Sequence, residues 1–230
     1  MSTVTRAHVC DVISYGENVK EFILKLDDYE TFEPGQFLQL TLDKISASDN
    51  WPESRPFSIA SYLNQAHTIR LIIKKKGTYT AKIFNNLLKG SHCYVKYAYG
   101  DFLLPSFDDE PIHCIAGGTG VAPFLGFMEY YMNQREIDKL FIYYSVSKKH
   151  DFVHFNSIQK NLSPSNIDFF CTKENMEGTK YRRMLINDIL YKVKNISEEH
   201  FYICGAPEFT KYFKDELEVN GALNIYLDEW

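Results

Sequence analysis

Apolar residues in the first half of the chain come in short runs rather than at helical spacing. Six runs lie at residues 7–15, 19–26, 36–42, 55–61, 68–75 and 92–99. Turn-forming pairs separate them, as at Pro34-Gly35 and Lys89-Gly90. Short strands at regular spacing predict a small antiparallel β-barrel. One helix is predicted inside it, over residues 79–90, with the glycine at its C-terminal end.

The pattern changes after residues 104–111, "LPSFDDEP", whose prolines and acidic residues indicate a linker. Strand-like and helical runs then alternate. Strands are predicted at residues 112–117, 139–146, 167–172 and 200–205, and helices at residues 122–134, 151–162, 182–193 and 207–219. This alternation predicts a parallel sheet covered on both faces. Two domains are therefore predicted, an antiparallel β-barrel at residues 1–104 and a dinucleotide-type α/β domain at residues 105–230.

Composition narrows the partners and the location. With 45% hydrophobic and 15% aromatic residues, the chain can bury a substantial core. A net charge of -5 gives no general basic surface, so nucleic acid is not an expected partner. The N-terminal residues lack the apolar stretch of a signal peptide, and the sequence contains no run of eighteen apolar residues. A cytoplasmic protein without a membrane span is expected.

The cysteines are scattered and odd in number, which argues against a disulfide framework, a paired-cysteine metal site or an iron-sulfur cluster. They are Cys10, Cys93, Cys114, Cys171 and Cys204. If the protein moves electrons, it therefore needs a bound organic cofactor.

A glycine-rich turn joins a buried strand to a helix in "IAGGTGVAPFLGF", residues 115–127. Such a turn presents bare backbone N–H groups at a helix N-terminus, where a phosphate can approach. The spacing Gly118-x-Gly120-x-x-Pro123 has proline where the dinucleotide fingerprint has its third glycine, and proline suits the first turn of a helix. The alternative is a tight turn that binds no ligand.

A second strand-turn-helix unit, "ICGAPEF", has Cys204 at the carboxyl end of its strand. Ligands of open α/β sheets bind beyond the carboxyl ends of the strands, so Cys204 and Gly118 could face one crevice. The alternative is that Cys204 is a small buried apolar side chain, as most free cysteines are.

The strand at residues 139–146 lacks the terminal acidic residue that binds a ribose 2'-hydroxyl. It runs instead into Ser145, Ser147, Lys148 and Lys149. Hydroxyl groups and lysines could hold a 2'-phosphate, which favours NADPH over NADH. A solvated turn explains the same lysines equally well.

In the barrel half, Gly77 ends a strand and a helix opens near Thr80. Its N-terminus, with the hydroxyls of Thr78 and Thr80, could receive a diphosphate. Arg55 could complete a clamp, because a guanidinium binds phosphate in bidentate fashion. The alternative is ordinary threonine capping without a ligand.

Five motifs together resemble the ferredoxin-NADP reductase-like flavoproteins, in their order along nearly the whole chain. They are Arg55-Pro56-Phe57-Ser58, Gly77-Thr78-Tyr79-Thr80, Gly117-Gly118-Thr119-Gly120-Val121-Ala122-Pro123, Cys204-Gly205-Ala206-Pro207 and the terminal Trp230. The resemblance implies an FAD-binding barrel followed by an NAD(P)H-binding domain.

By this resemblance, Arg55 holds the FAD diphosphate, Phe57 packs on the isoalloxazine, and Ser58 hydrogen-bonds near flavin N5. The other residues implied in flavin binding are Pro56, Ile73, Lys74, Gly77, Thr78 and Thr80.

In the second domain, the resemblance implies that the turn from Gly118 to Gly120 binds the phosphates of the nicotinamide dinucleotide. Cys204 would lie beside the reacting nicotinamide carbon, with Asp228 and Trp230 near the site. The other residues implied in nicotinamide dinucleotide binding are Thr119, Pro123, Ser145, Ser147, Lys148, Gly205 and Pro207.

The sequence departs from the family pattern at two points. Phe57 replaces the usual tyrosine, which keeps a stacking face but loses a hydroxyl. Residues 43–54 form a long polar insertion before the flavin motif, and its role does not follow from the sequence.

The implied reaction is hydride transfer from NADH or NADPH to FAD, with electrons then passed to a separate ferredoxin or another redox protein. One alternative is an NAD(P)H:flavin reductase that releases reduced free flavin. Another is a regulatory subunit that binds nucleotides without turnover. Retention of flavin distinguishes the first alternative, and turnover with artificial acceptors distinguishes the second.

Overall fold

The computed structural model describes residues 2–45, 50–106 and 109–229. The chain divides into two compact units. The first comprises Met1–Leu104 with Leu125–Phe127, and the second comprises Pro105–Phe124 with Met128–Trp230.

The first unit is a six-stranded antiparallel sheet that curls into a nearly closed barrel, as predicted. Its strands are β1 (Thr3–Tyr15), β2 (Val19–Leu26), β3 (Phe37–Thr41), β4 (Arg55–Ser58), β5 (Thr68–Lys74) and β6 (His92–Tyr99). They are ordered β4-β3-β6-β1-β2-β5. A bridge between Ile59 and Leu71 and a hydrogen bond of 2.8 Å from the Ala60 N–H to the Arg70 carbonyl link the residues after β4 to β5.

The predicted strand at residues 55–61 therefore pairs with two different strands. Its first four residues pair with β3, and its next residues cross to β5 and close the barrel. The barrel core is formed by alternate residues of the strands, which is why their sequences read as short apolar runs.

The barrel's helix α1 (Thr78–Asn86) is shorter than predicted and does not end at Gly90. Leu87 leaves the helix in an extended conformation, and Ser91 Oγ then accepts the N–H of Leu88 and donates to its carbonyl. Gly90, at φ +87°, belongs to this turn before β6. Hydroxyl chemistry of the turn, rather than a glycine cap, ends the helix.

The second unit is a five-stranded parallel sheet with helices, which confirms the predicted α/β class. Its strands are β7 (Ile112–Gly117), β8 (Leu140–Val146), β9 (Ile167–Cys171), β10 (His200–Gly205) and β11 (Asn224–Glu229). Its helices are α2 (Ala122–Gln134), α3 (Phe155–Asn161), α4 (Ile186–Leu190) and α5 (Pro207–Val219). The order β11-β10-β7-β8-β9 makes β7 central, and the chain reverses direction across the sheet between β7 and β10.

Three elements of this unit differ from the prediction. The helix predicted at residues 182–193 is reduced to α4, because the Asp188 carboxylate accepts the Leu185 N–H and pairs with Arg182, which holds the preceding residues outside the helix. The helix predicted at residues 151–162 is reduced to α3, because His154 sits at φ +55° just before it. Strand β11 was not predicted.

No helix among the described residues is long and apolar enough to cross a membrane.

A buried ionisable pair lies at the amino end of this sheet. His113 Nε2 is 2.6 Å from Glu199 Oε2, and both side chains are almost fully buried. Burial lowers the pKa of His113, against the raising effect of Glu199. Burial alone would raise the pKa of Glu199, but hydrogen bonds from His113, Asn195 and Lys194 bring it below its usual value. The pair is therefore an anionic Glu199 bound by a neutral imidazole.

Stability is expected to fall as the pH is lowered from 8 to 5.5, by roughly 1 kcal/mol from His113 alone. The folded-state pKa of His113 is depressed, so the stability it contributes is present above the unfolded-state pKa and lost on acidification. Urea unfolding at both pH values should show a smaller loss in His113→Gln than in the wild type. The exposed His92→Gln is the control, and an unchanged pH dependence in His113→Gln would contradict the assignment.

Candidate functional sites

Arg55 and the N-terminus of α1 lie around one open pocket of about 360 Å³ in the barrel unit. The lining residues are Glu53, Arg55, Lys76, Gly77, Thr78, Tyr79, Thr80 and Lys82. The structure thus brings together the arginine and the glycine turn that sequence reasoning grouped as a clamp. Three cations and one carboxylate line the pocket, and a helix N-terminus adds partial positive charge.

Thr80 organises the turn rather than offering a free hydroxyl. Its Oγ accepts the N–H groups of Lys76 and Gly77 at 2.9 and 3.0 Å and donates to the Gly77 carbonyl at 3.1 Å. Any contact of Thr80 with a phosphate would therefore come from its backbone N–H. Thr78 is exposed at the pocket. A side chain at Gly77 would meet no atom within 4 Å, so the position opens onto empty space.

Tyr79 supports Arg55, a role that sequence reasoning missed. The Arg55 guanidinium carbon lies 4.6 Å from the centre of the Tyr79 ring, a cation–π arrangement. The ring is buried, and its Oη is 3.0 Å from the Glu53 carbonyl and 3.2 Å from that of Leu40. Burial raises the pKa of Tyr79 above its usual value. Tyr79 therefore links three parts of the barrel unit: helix α1, the end of β3 and Glu53.

Arg55 is already paired with a carboxylate of the pocket. Its Nη2 is 3.0 Å from Glu53 Oε1, and its Nη1 donates to the Ser54 carbonyl at 2.7 Å. About half of each charged side chain is exposed, 45% for Arg55 and 54% for Glu53. The guanidinium is thus held in place yet accessible to a ligand.

The remaining residues of the flavin motif lie on and beside β4. Phe57 is half-buried against the barrel core, and Ser58 is half-buried beside it. Pro56 is exposed. Ile73 is only 1% exposed and packs in the core, so its side chain is not available to a ligand, whereas Lys74 is exposed at the end of β5.

The glycine-rich turn of the second unit lies at the carboxyl end of the central strand. Gly118–Val121 form one turn of 3-10 helix, and α2 follows with Pro123 in its first turn. Gly118 has φ +58°, a left-handed conformation, and faces open space. A side chain at Gly120 would lie 2.1 Å from the Cys204 carbonyl oxygen. The turn after β7 and the turn after β10 therefore touch through their backbones. The chain order reverses between these two strands, and open α/β sheets bind ligands at such a switch point.

Cys204 is buried, in agreement with the alternative that it is a small buried side chain, and it also lies beside Asp228. Its thiol donates to Asp228 Oδ2 at 3.7 Å, because the two residues are register partners on β10 and β11. Gly205 packs against the ring of Phe209, and Pro207 begins α5. Trp230 lies outside the described residues.

The loop after β8 carries both signs of charge. The Lys148 N–H donates to Asp151 at 3.2 Å, and the Lys149 N–H donates to Glu174 at 2.9 Å. Lys148 is exposed, Ser145 is half-buried on β8, and Ser147 is exposed after it. Thr119, in the glycine turn, is buried.

Among the described residues, no group of three or more His, Cys, Asp and Glu side chains could hold a metal ion.

A cationic pocket on an antiparallel barrel, followed by a parallel sheet with a glycine turn at its switch point, is the arrangement of two-domain proteins that bind a flavin and a nicotinamide dinucleotide. Two family models match in these regions. An FAD-binding domain model matches residues 4–147, and an oxidoreductase NAD-binding domain model matches residues 114–215. The chain belongs to the ferredoxin-NADP reductase-like flavoprotein family.

Curated relatives are of two lengths. The chain is 25% identical over 244 aligned positions to the flavodoxin/ferredoxin--NADP reductase of Buchnera aphidicola, covering 99% of this chain and 95% of that protein. It is 27% identical to the propane 2-monooxygenase reductase component of Mycolicibacterium smegmatis, covering 76% of this chain and 52% of that protein. The chain thus spans about half the length of some relatives and nearly all of others.

Solved structures share the whole fold. The flavohem-like FAD/NAD-binding domain of nitric oxide dioxygenase from Vibrio cholerae superposes with a TM-score of 0.84 at 16% identity, covering 98% of both chains. A ferredoxin NADP+ reductase from Neisseria gonorrhoeae, with bound FAD and NADP, gives a TM-score of 0.80 at 18% identity, covering 99% of this chain and 98% of that one.

Proposed function

We propose that this protein is an NAD(P)H-dependent flavoprotein reductase that passes electrons to a separate acceptor. The proposal rests mainly on one observation. Each unit has a helix N-terminus with a glycine beside empty space, Gly77 in the first unit and Gly118 in the second. Backbone N–H groups at such positions bind phosphates, and a dinucleotide has two. Two such sites fit one flavin and one nicotinamide dinucleotide.

The barrel residues fit an FAD diphosphate. Arg55 would bind it in bidentate fashion, Lys76 and Lys82 would add charge, and the first turn of α1 would donate backbone N–H groups. Phe57 would pack against the isoalloxazine ring, and Ser58 would hydrogen-bond near its N5. The pocket is open and carries net positive charge, as this ligand requires.

The second unit fits a nicotinamide dinucleotide. The turn at Gly118 would receive phosphates, and Cys204, with Asp228 beside it, would border the nicotinamide ring. Trp230 is proposed near the same ring. Bound FAD supplies the capacity to take two electrons as a hydride and to release them singly. The protein's own part is to hold the two rings together, which makes their reaction effectively unimolecular, and to exclude water.

The loop after β8 supports both donors as candidates. Lys148 and Lys149 could bind the 2'-phosphate of NADPH, and the carboxylates of Asp151 and Glu174 could accept the 2'-hydroxyl of NADH. The two donors are therefore tested side by side.

We propose ferredoxin or another redox protein as the acceptor, by analogy with the flavodoxin/ferredoxin--NADP reductase and the monooxygenase reductase component to which the chain is similar. The exposed Lys74, Lys75 and Lys76 could steer an acidic partner. A cytoplasmic location is proposed as well, and the five free thiols support it, since that compartment keeps cysteines reduced.

A second candidate is a reductase that releases reduced flavin as its product. Two observations favour it: Phe57 lacks the tyrosine hydroxyl of the family motif, and the Glu53 carboxylate occupies the diphosphate pocket. Gel filtration distinguishes the candidates, because a tightly held FAD stays with the protein and a substrate flavin washes off.

The purified protein, supplemented with FAD, is expected to be yellow and to bleach in the flavin band when NADH or NADPH is added without oxygen. Ferredoxin, cytochrome c and free flavins are then offered as acceptors. A protein that binds no FAD and oxidises neither nicotinamide would refute the proposal. Binding without turnover, even with artificial acceptors, would instead support a regulatory subunit.

A further inference from the structure

We propose that Glu53 is an affinity-determining residue that weakens flavin binding, and that Trp51 and Ser54 help to position it. The inference rests on the proposed function, because it assumes that the pocket at Arg55 receives a diphosphate. It concerns a residue that no flavin motif includes.

The last residues of the insertion are fixed by a chain of hydrogen bonds. Trp51 Nε1 donates to Ser54 Oγ at 2.9 Å, and Ser54 Oγ donates to Gln39 on β3 at 3.1 Å. Tyr79 donates to the Glu53 carbonyl at 3.0 Å. The backbone around Glu53 is therefore tied to both β3 and α1, and its side chain is directed at the pocket.

Glu53 competes with a phosphate for the same guanidinium. Its carboxylate lies 3.0 Å from Arg55 Nη2, one of the nitrogens that would form a bidentate contact with a phosphate. The pair is half-exposed, so breaking it costs little. Once the phosphate has replaced Glu53 on Arg55, however, the negative Glu53 carboxylate remains in the same pocket as the negative diphosphate. The two groups repel each other.

The pocket therefore binds a diphosphate less tightly than its three cations would allow. Bound flavin is therefore expected to dissociate faster from the wild type than from a protein without this carboxylate.

The test measures dissociation constants of three ligands for the wild type, Glu53→Gln and the control Glu17→Gln. Glu17 is an exposed glutamate in the turn between β1 and β2, outside the pocket, and its replacement changes net charge equally. The ligands are FAD, ADP as a diphosphate without a flavin, and riboflavin as a flavin without phosphate. Binding is followed by flavin fluorescence and calorimetry at low salt.

Glu53→Gln is expected to bind FAD and ADP about tenfold more tightly, with riboflavin unchanged and Glu17→Gln equal to the wild type. The gain should shrink at high salt because the repulsion is screened. Unchanged or weaker FAD binding by a folded Glu53→Gln would overturn the inference, and so would an equal gain for riboflavin. If Glu53→Gln does not fold, Glu53→Ala takes its place, because it also removes the carboxylate, and the same gain or absence of gain in FAD and ADP affinity supports or overturns the inference. If the wild type binds neither FAD nor ADP, the proposed function itself fails.

Discussion

Arg55→Ala is expected to lower FAD affinity about 30- to 160-fold, since a bidentate contact between charged groups is worth roughly 2–3 kcal/mol. The barrel should remain folded. Arg55 is 45% exposed and makes a surface ion pair with Glu53, an interaction worth no more than about 1 kcal/mol. Flavin titration and urea unfolding of the same preparation separate the two effects.

Two variants serve as controls for this result. Arg55→Lys keeps the charge but loses the planar fork and the stacking on Tyr79, so an intermediate affinity is expected. Arg6→Ala removes an exposed arginine of β1 away from the pocket and should bind FAD like the wild type. If Arg55→Ala retained wild-type FAD affinity, the pocket would not be the diphosphate site.

Ser58→Ala provides the complementary result. Its hydroxyl is proposed to contact the reacting edge of the flavin rather than the diphosphate, so FAD should stay bound while its reduction by NAD(P)H slows. Stopped-flow absorbance of FAD-loaded protein measures this rate directly. Loss of affinity in one variant and loss of rate in the other would assign distinct roles to residues three positions apart.

Most of the fold could be predicted from local pattern, and the elements that were predicted wrongly or missed have different physical causes. Strands β2 and β6 and helices α2 and α5 have the predicted limits, because apolar runs and breaking residues coincide there. Helix α4 is shortened by Asp188, whose contacts with Leu185 and Arg182 compete with helical hydrogen bonds. Strand β11 follows a turn at Asn220-Gly221, and its strand conformation depends on pairing with the edge of β10, a contact that no local pattern contains.

The residues of the candidate sites also fall into two groups, those that could be predicted from sequence motifs and those that could not. Residue types that recur in short motifs, such as Arg55 and Gly118, could be recognised in the sequence. Tyr79, whose ring supports Arg55, and Glu53, whose charge opposes the ligand, could not. Their roles come from contacts across the barrel, between residues that no local pattern links.

The backbone contact between the two turns of the second unit gives the other large expected effect. Gly120→Ala should destabilise the protein by about 3 kcal/mol or more and lower NAD(P)H-driven flavin reduction at least tenfold. The added Cβ would lie 2.1 Å from the Cys204 carbonyl oxygen, so β10 and the turn must move apart. FAD affinity should be retained, because the FAD pocket is lined by residues 53–82.

Gly118→Ala is the matched control two residues away. Its side chain would meet open space, and only the left-handed backbone at φ +58° is strained, at about 1 kcal/mol. Thermal unfolding ranks the two variants. Because Gly118 is itself proposed to bind phosphate, NAD(P)H oxidation by Gly120→Ala is compared with that of the wild type, at a temperature where circular dichroism shows both proteins to be folded. A Gly120→Ala protein as stable as Gly118→Ala would mean that the two turns do not touch, and Cys204 would then lose its proposed place beside the dinucleotide turn.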